Sequence, residues 1–339
     1  MQNRSLSERL QRRHRATEQV RAFFVRQGFW EVDTSALVVA PTTEPHIDPF
    51  CIDLHDGHLS TVQPRYLRTS PELALKRVLS EGVERVFELA KVFRDGERGP
   101  LHLPEFIMLE WYRAAGTLGD LVVDLENLCR ELAVFFHGEP KLIAPDGSEI
   151  DVGNPFPRRS VASLFSEYAD VDLRAALLEM EAGDSLALVR HVKAAGHALR
   201  ENADFEDAFF HIMVSRIEPE IGRDRPLVVE RWPRQMAVLS NICDDDPLFA
   251  GRFELYAGGV ELANAFDELT DPVEQRRRFQ EDNQARIALG KEALPVDEDF
   301  LHALGSMPPT SGIALGWDRL LMMLFGEKHI DDVQVLAFR

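Results

Sequence analysis

Apolar residues recur along this chain at two spacings, and each spacing predicts a different kind of element. Ser5–Gln27 has apolar positions at helical spacing, and the Gly28 that follows is typical of a helix end. Phe87–Phe93 and Phe106–Tyr112 are rich in alternating apolar and aromatic residues, which favours strands. The residues between these two strands include two glycines and two prolines. The pattern therefore predicts a long antiparallel hairpin.

The remaining pattern predicts helices among short strands. Helices are predicted to open at Ser70-Pro71-Glu72 and to cover Leu118–Phe136, much of Val161–Glu220 (most clearly Asp204–Ile221), Asp271–Leu289 and Trp317–Phe325. Strands are predicted over Phe29–Val39, Leu227–Glu230, Ala237–Leu239, Phe253–Ala257, Gly259–Asn264 and Gly312–Leu315, with a short hairpin over Lys141–Asp151 and a loop rich in acids and prolines after Leu289. These elements favour an α+β fold with a mostly antiparallel sheet flanked by helices. We expect residues 1–339 to form a single domain with a helix-rich insertion around residues 161–220.

Composition narrows the class of protein. Hydrophobic residues at 45% and charged residues at 28% are ordinary for a soluble globular chain. Cys51, Cys129 and Cys243 are far apart and form no CxxC pair, which argues against a disulfide framework or a zinc site. No apolar run approaches the roughly 20 residues of a membrane span, and the N-terminal residues lack the apolar core of a signal peptide. We therefore expect a cytoplasmic protein without a membrane partner.

The net charge of −19 disfavours extensive nucleic-acid binding, which usually relies on a strong basic patch. The one dense basic cluster is Arg9, Arg12, Arg13 and Arg15 on the first predicted helix. Four arginines on one helix are more often a solvated or subunit-facing surface than a nucleic-acid site. Nucleic acid is therefore not expected as a partner.

The predicted hairpin carries an unusual set of polar residues. Arg94 lies where the first strand ends and His102 lies in the loop, while Glu110 and Tyr112 share one face of the return strand. A cation, a histidine, an aromatic ring and an acid on one sheet surface indicate a polyanion bound beside a cationic group.

Three other segments are candidates for chemistry. Glu254 and Glu261 flank a Gly-Gly turn that can bring two carboxylates together, a ligand set that suits Mg²⁺; alternatively they are exposed acids on an edge hairpin. Gly312–Arg319 combines small residues with an arginine at the start of a helix, an arrangement that suits phosphate binding. Alternatively, this segment is a capped helix start with a surface arginine. Glu72 lies in the first turn of a helix, where the helix dipole alone would favour an acid.

The four segments in this order resemble a class II aminoacyl-tRNA synthetase core. Gly28–Ser35 resembles its motif 1, Phe93–Tyr112 its motif 2 and Gly312–Leu324 its motif 3. The TSPE run at Thr69–Glu72 and the run Glu261–Asp271 are similar to the lysyl-tRNA synthetase branch. Only the first helix precedes motif 1, so we expect no anticodon-binding domain. The chain is most similar to the shortened paralogues that ligate lysine, preferably (R)-β-lysine, to a lysine of translation elongation factor P.

The resemblance implies ATP and Mg²⁺ as cofactors, lysine or β-lysine as substrate, elongation factor P as acceptor, and a homodimer. Catalysis is implied for Arg94 and Arg319, and ATP binding for Arg94, Asp95, Glu97, His102, Phe106, Glu261, Leu262, Gly316 and Arg319. Substrate binding is implied for Ser70, Pro71, Glu72, Glu110, Tyr112, Asn264, Glu268 and Ala314, and metal binding for Glu254 and Glu261. Of these, Glu72 would meet the amino group near the carboxylate, and Glu110, Tyr112 and Glu268 the distal ammonium.

Three positions depart from the family pattern. Ser35 replaces the proline that ends motif 1, Gly96 stands where a glutamate is common, and Leu103 stands where an asparagine often follows the histidine. Ala314 stands where lysyl-tRNA synthetases usually have glycine, which fits a pocket reshaped for a β-amino isomer.

Two other functions stay open at this point. One is a lysyl-tRNA synthetase-like enzyme that activates an amino acid for tRNA or a small-molecule acceptor, as in amide-forming ligases of the asparagine synthetase type. The other is a catalytically inactive paralogue that binds an amino acid or a protein. Glu110 and Glu268 favour a cationic substrate over aspartate, and the presence of Arg94, Glu261 and Arg319 disfavours an inactive paralogue.

Overall fold

The computed structural model of this protein describes residues 5–55 and 62–336. In chain order the helices are α1 (Leu6–Arg26), α2 (Glu72–Ser80), α3 (Leu118–His137), α4 (Val161–Ala169), α5 (Leu173–Glu181), α6 (Ala187–Ala194), α7 (Phe205–Ile212), α8 (Pro272–Ala288), α9 (Glu298–Leu304) and α10 (Trp317–Phe325). The strands are β1 (Trp30–Glu31), β2 (Leu37–Val38), β3 (Cys51–His55), β4 (Val62–Leu67), β5 (Arg85–Phe93), β6 (Glu105–Ala114), β7 (Lys141–Ile143), β8 (Glu149–Asp151), β9 (Arg158–Ser160), β10 (Leu227–Pro233), β11 (Phe249–Ala257), β12 (Val260–Asp267) and β13 (Thr310–Gly316). No helix among the described residues is both long enough and apolar enough to cross a bilayer.

The chain folds into two compact units. The first unit comprises Met1–Leu121 and Glu268–Arg339, and the second comprises Val122–Asp267. Both units build their sheets mainly from antiparallel pairs and cover them with helices. The α+β fold class predicted from the sequence is therefore confirmed.

The larger sheet of the first unit has the strand order β1-β5-β6-β13, and a separate sheet has the order β2-β4-β3. Strand β1 runs parallel to β5, whereas β5, β6 and β13 pair antiparallel. The predicted hairpin is thus present as β5 and β6. Its register aligns Glu88 with Glu110 and Glu110 with Ala314, and it aligns Tyr112 with Gly312. Side chains from three neighbouring strands are brought onto one face in this way.

Helix α1 begins at a capping box, in which the Ser5 and Glu8 side chains each accept a hydrogen bond from the other's backbone N–H. Its apolar face buries Phe24, whose ring lies 4.8 Å from that of Phe87. The arginine cluster on this helix is not simply a solvated or subunit-facing surface. Arg13 forms a 2.6 Å ion pair with the buried Asp318, and the Arg12 guanidinium lies 4.1 Å from the centre of the Phe325 ring.

The second unit has the strand order β12-β11-β10-β9 and a separate β7-β8 hairpin, as predicted. Its helices α4–α7 bury an apolar core that includes Phe165, Phe209 and Trp232. The predicted helix over Asp204–Ile221 is α7, which is extended by a π-helical turn over Met213–Ile217. The β11-β12 hairpin turns through Gly258 and Gly259, both at positive φ, where a side chain would also collide with neighbouring atoms.

Several sequence predictions were wrong. Ala237–Leu239 forms a turn, in which Val238 has a φ of 51°, rather than a strand. Phe29–Val39 contains only the two-residue strands β1 and β2, which belong to different sheets. The segment after Leu289 contains helix α9, which begins at an Asp297 side-chain cap. Strand β3 was not predicted.

Candidate active site

Five buried polar residues of the first unit meet at the β6-β13 face. This Glu110 cluster consists of Glu72, Lys76, Glu110, Tyr112 and Glu268, whose exposed fractions are 8, 1, 0, 2 and 1%. Helix α2 supplies the first two residues and β6 the next two, while Glu268 donates its backbone N–H to the carbonyl of Thr310 on β13. Three acids that are buried this completely are rare unless they have partners.

Lys76 is the cation inside the Glu110 cluster. Its Nζ lies 2.7 Å from Glu72 Oε1 and 2.5 Å from Glu268 Oε2, so one ammonium bridges two carboxylates. Burial lowers the pKa of Lys76, but the charges of Glu268 and Glu72 outweigh burial, and its pKa lies above the usual value. Lys76 is therefore positively charged at neutral pH.

Glu110 is the third acid of this cluster, and Lys76 forms its ion pairs with the other two. The Tyr112 hydroxyl donates a 2.9 Å hydrogen bond to Glu110 Oε2, while Glu110 Oε1 is buried and has no hydrogen-bond partner. Burial, and next the charge of Glu72, raise the pKa of Glu110 well above its usual range. Burial and the charge of Glu110 likewise raise the pKa of Tyr112. A bound cation beside Glu110 would offset both the cost of burying this acid and its repulsion by Glu72.

Gly312 closes one side of the Glu110 cluster. A Cβ atom at this position would lie 2.2 Å from Tyr112 Cε1 and 2.3 Å from Glu268 Oε1. Such distances are far inside van der Waals contact, so any larger residue must displace the tyrosine ring and the carboxylate. Gly312, which the sequence indicated as a residue of close backbone approach, therefore lies directly against the Tyr112 and Glu268 side chains.

Two arginines lie at the loop that joins β5 and β6: Arg94 directly follows β5, and Arg319 reaches the loop from α10. The Arg94 guanidinium lies 5.3 Å from the centre of the Phe106 ring, and its Nε lies 3.4 Å from the carbonyl of Thr69. Arg319, on the first turn of α10, donates a 2.7 Å hydrogen bond to His102 Nε2 and lies 3.3 Å from the carbonyl of Leu101. The predicted phosphate-binding residues of the first unit therefore form two arginine-centred groups.

Asp318 links these groups to the rest of the first unit. Its Oδ2 accepts a 2.7 Å hydrogen bond from the backbone N–H of Ile107, the residue after Phe106, and its Oδ1 accepts from Arg13. Since Asp318 directly precedes Arg319, one buried carboxylate fixes both the adenine-stacking candidate and a phosphate-binding candidate.

The second unit contains a comparable Glu254 cluster, formed by Arg252, Glu254, Tyr256, Glu261 and Asn264. Arg252 donates to Glu254 Oε1 at 2.5 Å and to Asn264 Oδ1 at 3.1 Å, and the Tyr256 hydroxyl donates to Glu254 Oε2 at 2.6 Å. Burial and the charge of Glu261 raise the pKa of Glu254 to about 7. The β11-β12 register pairs Glu261 with Tyr256 rather than with Glu254, so the two acids lie diagonally across the hairpin.

The Glu254–Glu261 pair fits a divalent cation better than a monovalent one. The charge of Glu261 raises the pKa of Glu254, so the pair carries more negative charge than Arg252 alone compensates, and Mg²⁺ commonly takes one or two protein carboxylates. Among the described residues, no group of three or more His, Cys, Asp or Glu side chains is arranged to hold a metal ion by itself. The remaining ligands would come from nucleotide phosphates and water.

Other predicted site residues lie around these clusters. Ser70 and Pro71 line a cleft together with Arg68, Leu73 and Arg77, and the residues lining that cleft do not include the buried acids. Ala314 lies beside Glu110 on the neighbouring strand. The backbone N–H of Asp95 donates to the carbonyl of Asp48, and Glu97 lies 3.5 Å from Arg94. Leu262 is buried, and Gly316 is the N-cap of α10.

Sequence reasoning missed the cations that hold the acids. Lys76 lies one helical turn after Glu72 and Arg252 lies two residues before Glu254 on the same strand, so both spacings place the pair on one face. A third missed pair is Arg68 and Glu88, which are 2.8 Å apart and are joined by hydrogen bonds to Thr34. The apolar residues next to each acid in the sequence could have indicated that the acid is buried and needs a cationic partner.

Comparison with known proteins is consistent with this geometry. The family model described as tRNA synthetases class II (D, K and N) matches residues 1–338. A Proteus mirabilis protein named elongation factor P–(R)-β-lysine ligase is 36% identical over 319 residues, covering 93% of this chain and 90% of the relative. Proteins of the same name from Vibrio atlanticus and Haemophilus ducreyi are 34% and 33% identical, covering 98% and 97% of this chain and 96% and 93% of the relatives.

The family match and the fold define a class II synthetase-type enzyme, which is a ligase. The features that agree with this class are the antiparallel sheet, Arg94 after the first strand of the hairpin, and Arg319 at the start of α10. Within that class, the chain belongs to the family of the elongation factor P–(R)-β-lysine ligases. The class II family predicted from the sequence is confirmed.

Proposed function

We propose that this chain uses ATP to activate lysine or (R)-β-lysine as an aminoacyl-adenylate and transfers the aminoacyl group to a lysine side chain of elongation factor P. The observation that carries the proposal is the buried Glu110 cluster. It combines three carboxylates with an unpaired Glu110 oxygen, an arrangement suited to an ammonium group. The names of the relatives support the choice of acceptor and amino acid.

The first unit would bind the amino acid and most of the nucleotide. Glu72 would accept from the amino group near the carboxylate, and Glu110, Tyr112 and Glu268 would surround the distal ammonium. Each such charge-assisted hydrogen bond contributes about 1.5–3 kcal/mol. A substrate without the distal ammonium leaves these acids unpaired, which is how buried polar sites reject close analogues.

For ATP, Phe106 would stack on the adenine, and His102 and Arg319 would hold the outer phosphates. Arg94 would bind the α-phosphate and the substrate carboxylate. A carboxylate oxygen then forms a bond to the α-phosphorus while the bond to pyrophosphate breaks, and Arg94 stabilises the negative charge that develops. In the second step the acceptor amine attacks the carbonyl carbon, an amide forms, and AMP leaves as the amine loses a proton.

For the second unit, we propose that Glu254 and Glu261 hold Mg²⁺ and that Asn264 meets the carboxylate end of the substrate. Bound Mg²⁺ neutralises charge on the triphosphate. Arg252 and Tyr256 keep the Glu254 carboxylate in one orientation, since each bonds a different oxygen of that side chain.

We also propose that the two units act as one catalytic domain with a helix-rich insertion, because a single family model matches residues 1–338. The protein would act in the cytoplasm as a homodimer. These proposals rest on the resemblance to class II enzymes, and sedimentation of the purified protein tests the dimer directly.

The adenylation step is tested by amino-acid-dependent exchange of pyrophosphate into ATP. We expect Arg94→Ala to reduce lysine-dependent exchange at least about a hundredfold, because an arginine that meets the transition-state charge is lost. Arg276→Ala is the matched control, since Arg276 forms an exposed ion pair with Glu298 on another helix. Undiminished exchange in Arg94→Ala contradicts the adenylation proposal.

The acceptor is tested separately. The protein is incubated with ATP, Mg²⁺ and either lysine or (R)-β-lysine, together with elongation factor P or with unfractionated tRNA. Intact-mass analysis of elongation factor P is expected to show the added residue, and (R)-β-lysine is expected to be used in preference to lysine. Aminoacylation of tRNA with no change in the protein acceptor identifies the chain as a synthetase of the tRNA-charging kind instead.

A further inference from the structure

Lys76 has no role in the proposed chemistry, yet it lies at the centre of the residues that would bind the amino acid. Its side chain is 1% exposed, and its ammonium contacts Glu72 at 2.7 Å and Glu268 at 2.5 Å. Glu72 is the acid proposed for the amino group near the carboxylate, and Glu268 is one of the acids proposed for the distal ammonium. One resident cation therefore joins the acids that would serve the two ends of the substrate.

The charges of the Glu110 cluster explain what a resident cation does there. Glu72, Glu110 and Glu268 bring three carboxyl groups into a volume closed to water, and Lys76 brings one positive charge. Buried carboxylates without compensation take up protons instead of staying ionised, as the raised pKa of Glu110 shows. Lys76 supplies the positive charge for one of the three carboxyl groups, and the other two can each face an ammonium group if Glu110 releases its proton when the ligand binds. Lysine and β-lysine each carry two ammonium groups.

Lys76 also fixes the shape of the cluster. Glu268 Oε2 faces Lys76, whereas Glu268 Oε1 faces the position where a side chain on Gly312 would lie. The carboxylate is therefore held between the ammonium of Lys76 and the β13 backbone at Gly312. Without Lys76, Glu268 would lose its ion pair, and its carboxylate would no longer be held at a set distance from Glu110 and Tyr112.

We infer that Lys76 is a positioning residue that sets specificity for a doubly cationic amino acid: it holds Glu72 and Glu268 in place and supplies the positive charge for one of three buried carboxyl groups. The inference rests on the proposed function, because it concerns recognition of the same amino acid. A purely structural role, in which Lys76 only anchors helix α2, would alter stability and all substrate constants together. A positioning role alters recognition of the distal ammonium in particular.

The experiment compares lysine with norleucine, which has the same length without the distal ammonium. Lys76→Met keeps the volume of the side chain and removes its charge. We expect the ratio of kcat/KM for lysine to that for norleucine to fall at least about tenfold in pyrophosphate exchange. We expect the KM for lysine to rise by a similar factor, while the KM for ATP changes less than about twofold.

Arg77→Met is the matched control, because it removes one positive charge from the next position of α2, where the side chain is half exposed and lies 3.8 Å from Asp299. It is expected to leave the lysine-to-norleucine ratio unchanged. Lys76→Arg keeps the charge and is expected to retain most of the discrimination even if its melting temperature falls. Should Lys76→Met not fold, Lys76→Gln replaces it in the same comparison.

The outcomes separate the two proposals. If the wild-type protein shows no exchange that depends on lysine or on (R)-β-lysine, the proposed function fails. If the wild type is active and a folded Lys76→Met or Lys76→Gln variant keeps the wild-type ratio, the inference about Lys76 is overturned. An equal rise in the KM for lysine, norleucine and ATP likewise overturns it, since that result indicates a structural role.

Discussion

The two buried acid clusters share one local motif but differ in the cation beside it. In the Glu110 cluster, Tyr112 follows Glu110 by two residues on β6 and donates to it at 2.9 Å. In the Glu254 cluster, Tyr256 follows Glu254 by two residues on β11 and donates to it at 2.6 Å. Each tyrosine reaches the glutamate on the same face of its strand, because residues two apart point the same way.

The position of the cation decides what is left for a ligand. Arg252 lies on the same strand as Glu254 and occupies the oxygen that Tyr256 leaves open. Lys76 lies on a helix and binds Glu72 and Glu268 instead, so Glu110 Oε1 has no partner. The first arrangement holds a carboxylate in a fixed orientation, which suits a metal ligand. The second leaves a buried acid with an oxygen that no protein group among the described residues bonds, which suits an ammonium site.

The largest effect is expected where the cation of the Glu254 cluster is removed. Arg252→Met deletes the bonds to Glu254, to Asn264 and to the carbonyl of Met236, as well as the stacking on Trp232 at 4.4 Å. Breaking a buried ion pair from one side costs about 3–5 kcal/mol. We expect a loss of unfolding free energy in that range, measured by urea denaturation.

The control for this variant is Arg231→Met. Arg231 pairs with Asp245 at 2.6 Å, but the two side chains are 37% and 66% exposed. Exposed pairs contribute at most about 1 kcal/mol. Equal losses in the two variants would mean that the Glu254 cluster gains nothing from its buried arginine.

A smaller loss is expected when the close approach at Gly312 is blocked. Gly312→Ala places a methyl group at 2.2 Å from Tyr112 and 2.3 Å from Glu268, so both must move. Overpacking of this kind costs about 1–3 kcal/mol. In addition, we expect lysine-dependent exchange to fall, because the moved side chains are the proposed ammonium ligands. A Gly305→Ala variant, whose new methyl group would have its nearest neighbours at 3.8 Å, is expected to change neither property.

Local signals in the sequence were enough to predict several of the strands and helices that carry the candidate site. Alternating residues on each side of a Gly- and Pro-containing loop predicted the β5-β6 hairpin, and the Gly-Gly turn predicted β11 and β12. Helix α10 begins and ends at the predicted residues because Gly316 and Gly326 bound an apolar run. These features depend on neighbours in the sequence.

What the sequence did not reveal depends on distant contacts or on weak periodicity. The ion pair of Lys76 with Glu268 joins residues that are far apart in the chain, and nothing in the local pattern indicates it. Ala237 and Leu239 are buried, which made their segment resemble a strand, but they pack from a turn. Helix α9 is only seven residues long and follows a segment with a proline and several acids, so its apolar period is short.

The smallest and most specific effect is a dependence of stability on pH that belongs to Glu110. Burial, and next the charge of Glu72, raise the pKa of Glu110 above its ordinary value of 4.5 in the folded protein. Above pH 4.5 the unfolded chain has released this proton while the folded protein retains it, so folding becomes less favourable as the pH rises. The loss is at most about 1.4 kcal/mol per pH unit and ends at the folded pKa.

Replacing the acid by its neutral isostere removes this dependence. We expect Glu110→Gln to gain stability relative to the wild type as the pH rises from 5 to 8, measured as urea unfolding free energies at each pH. Glu105→Gln is the matched control on the same strand, because Glu105 is exposed and pairs with the exposed Lys91; its curve should run parallel to that of the wild type. If the curve of Glu110→Gln also runs parallel to that of the wild type, Glu110 is ionised in the folded protein. The contrast between an unsatisfied acid in the Glu110 cluster and a satisfied acid in the Glu254 cluster then does not hold.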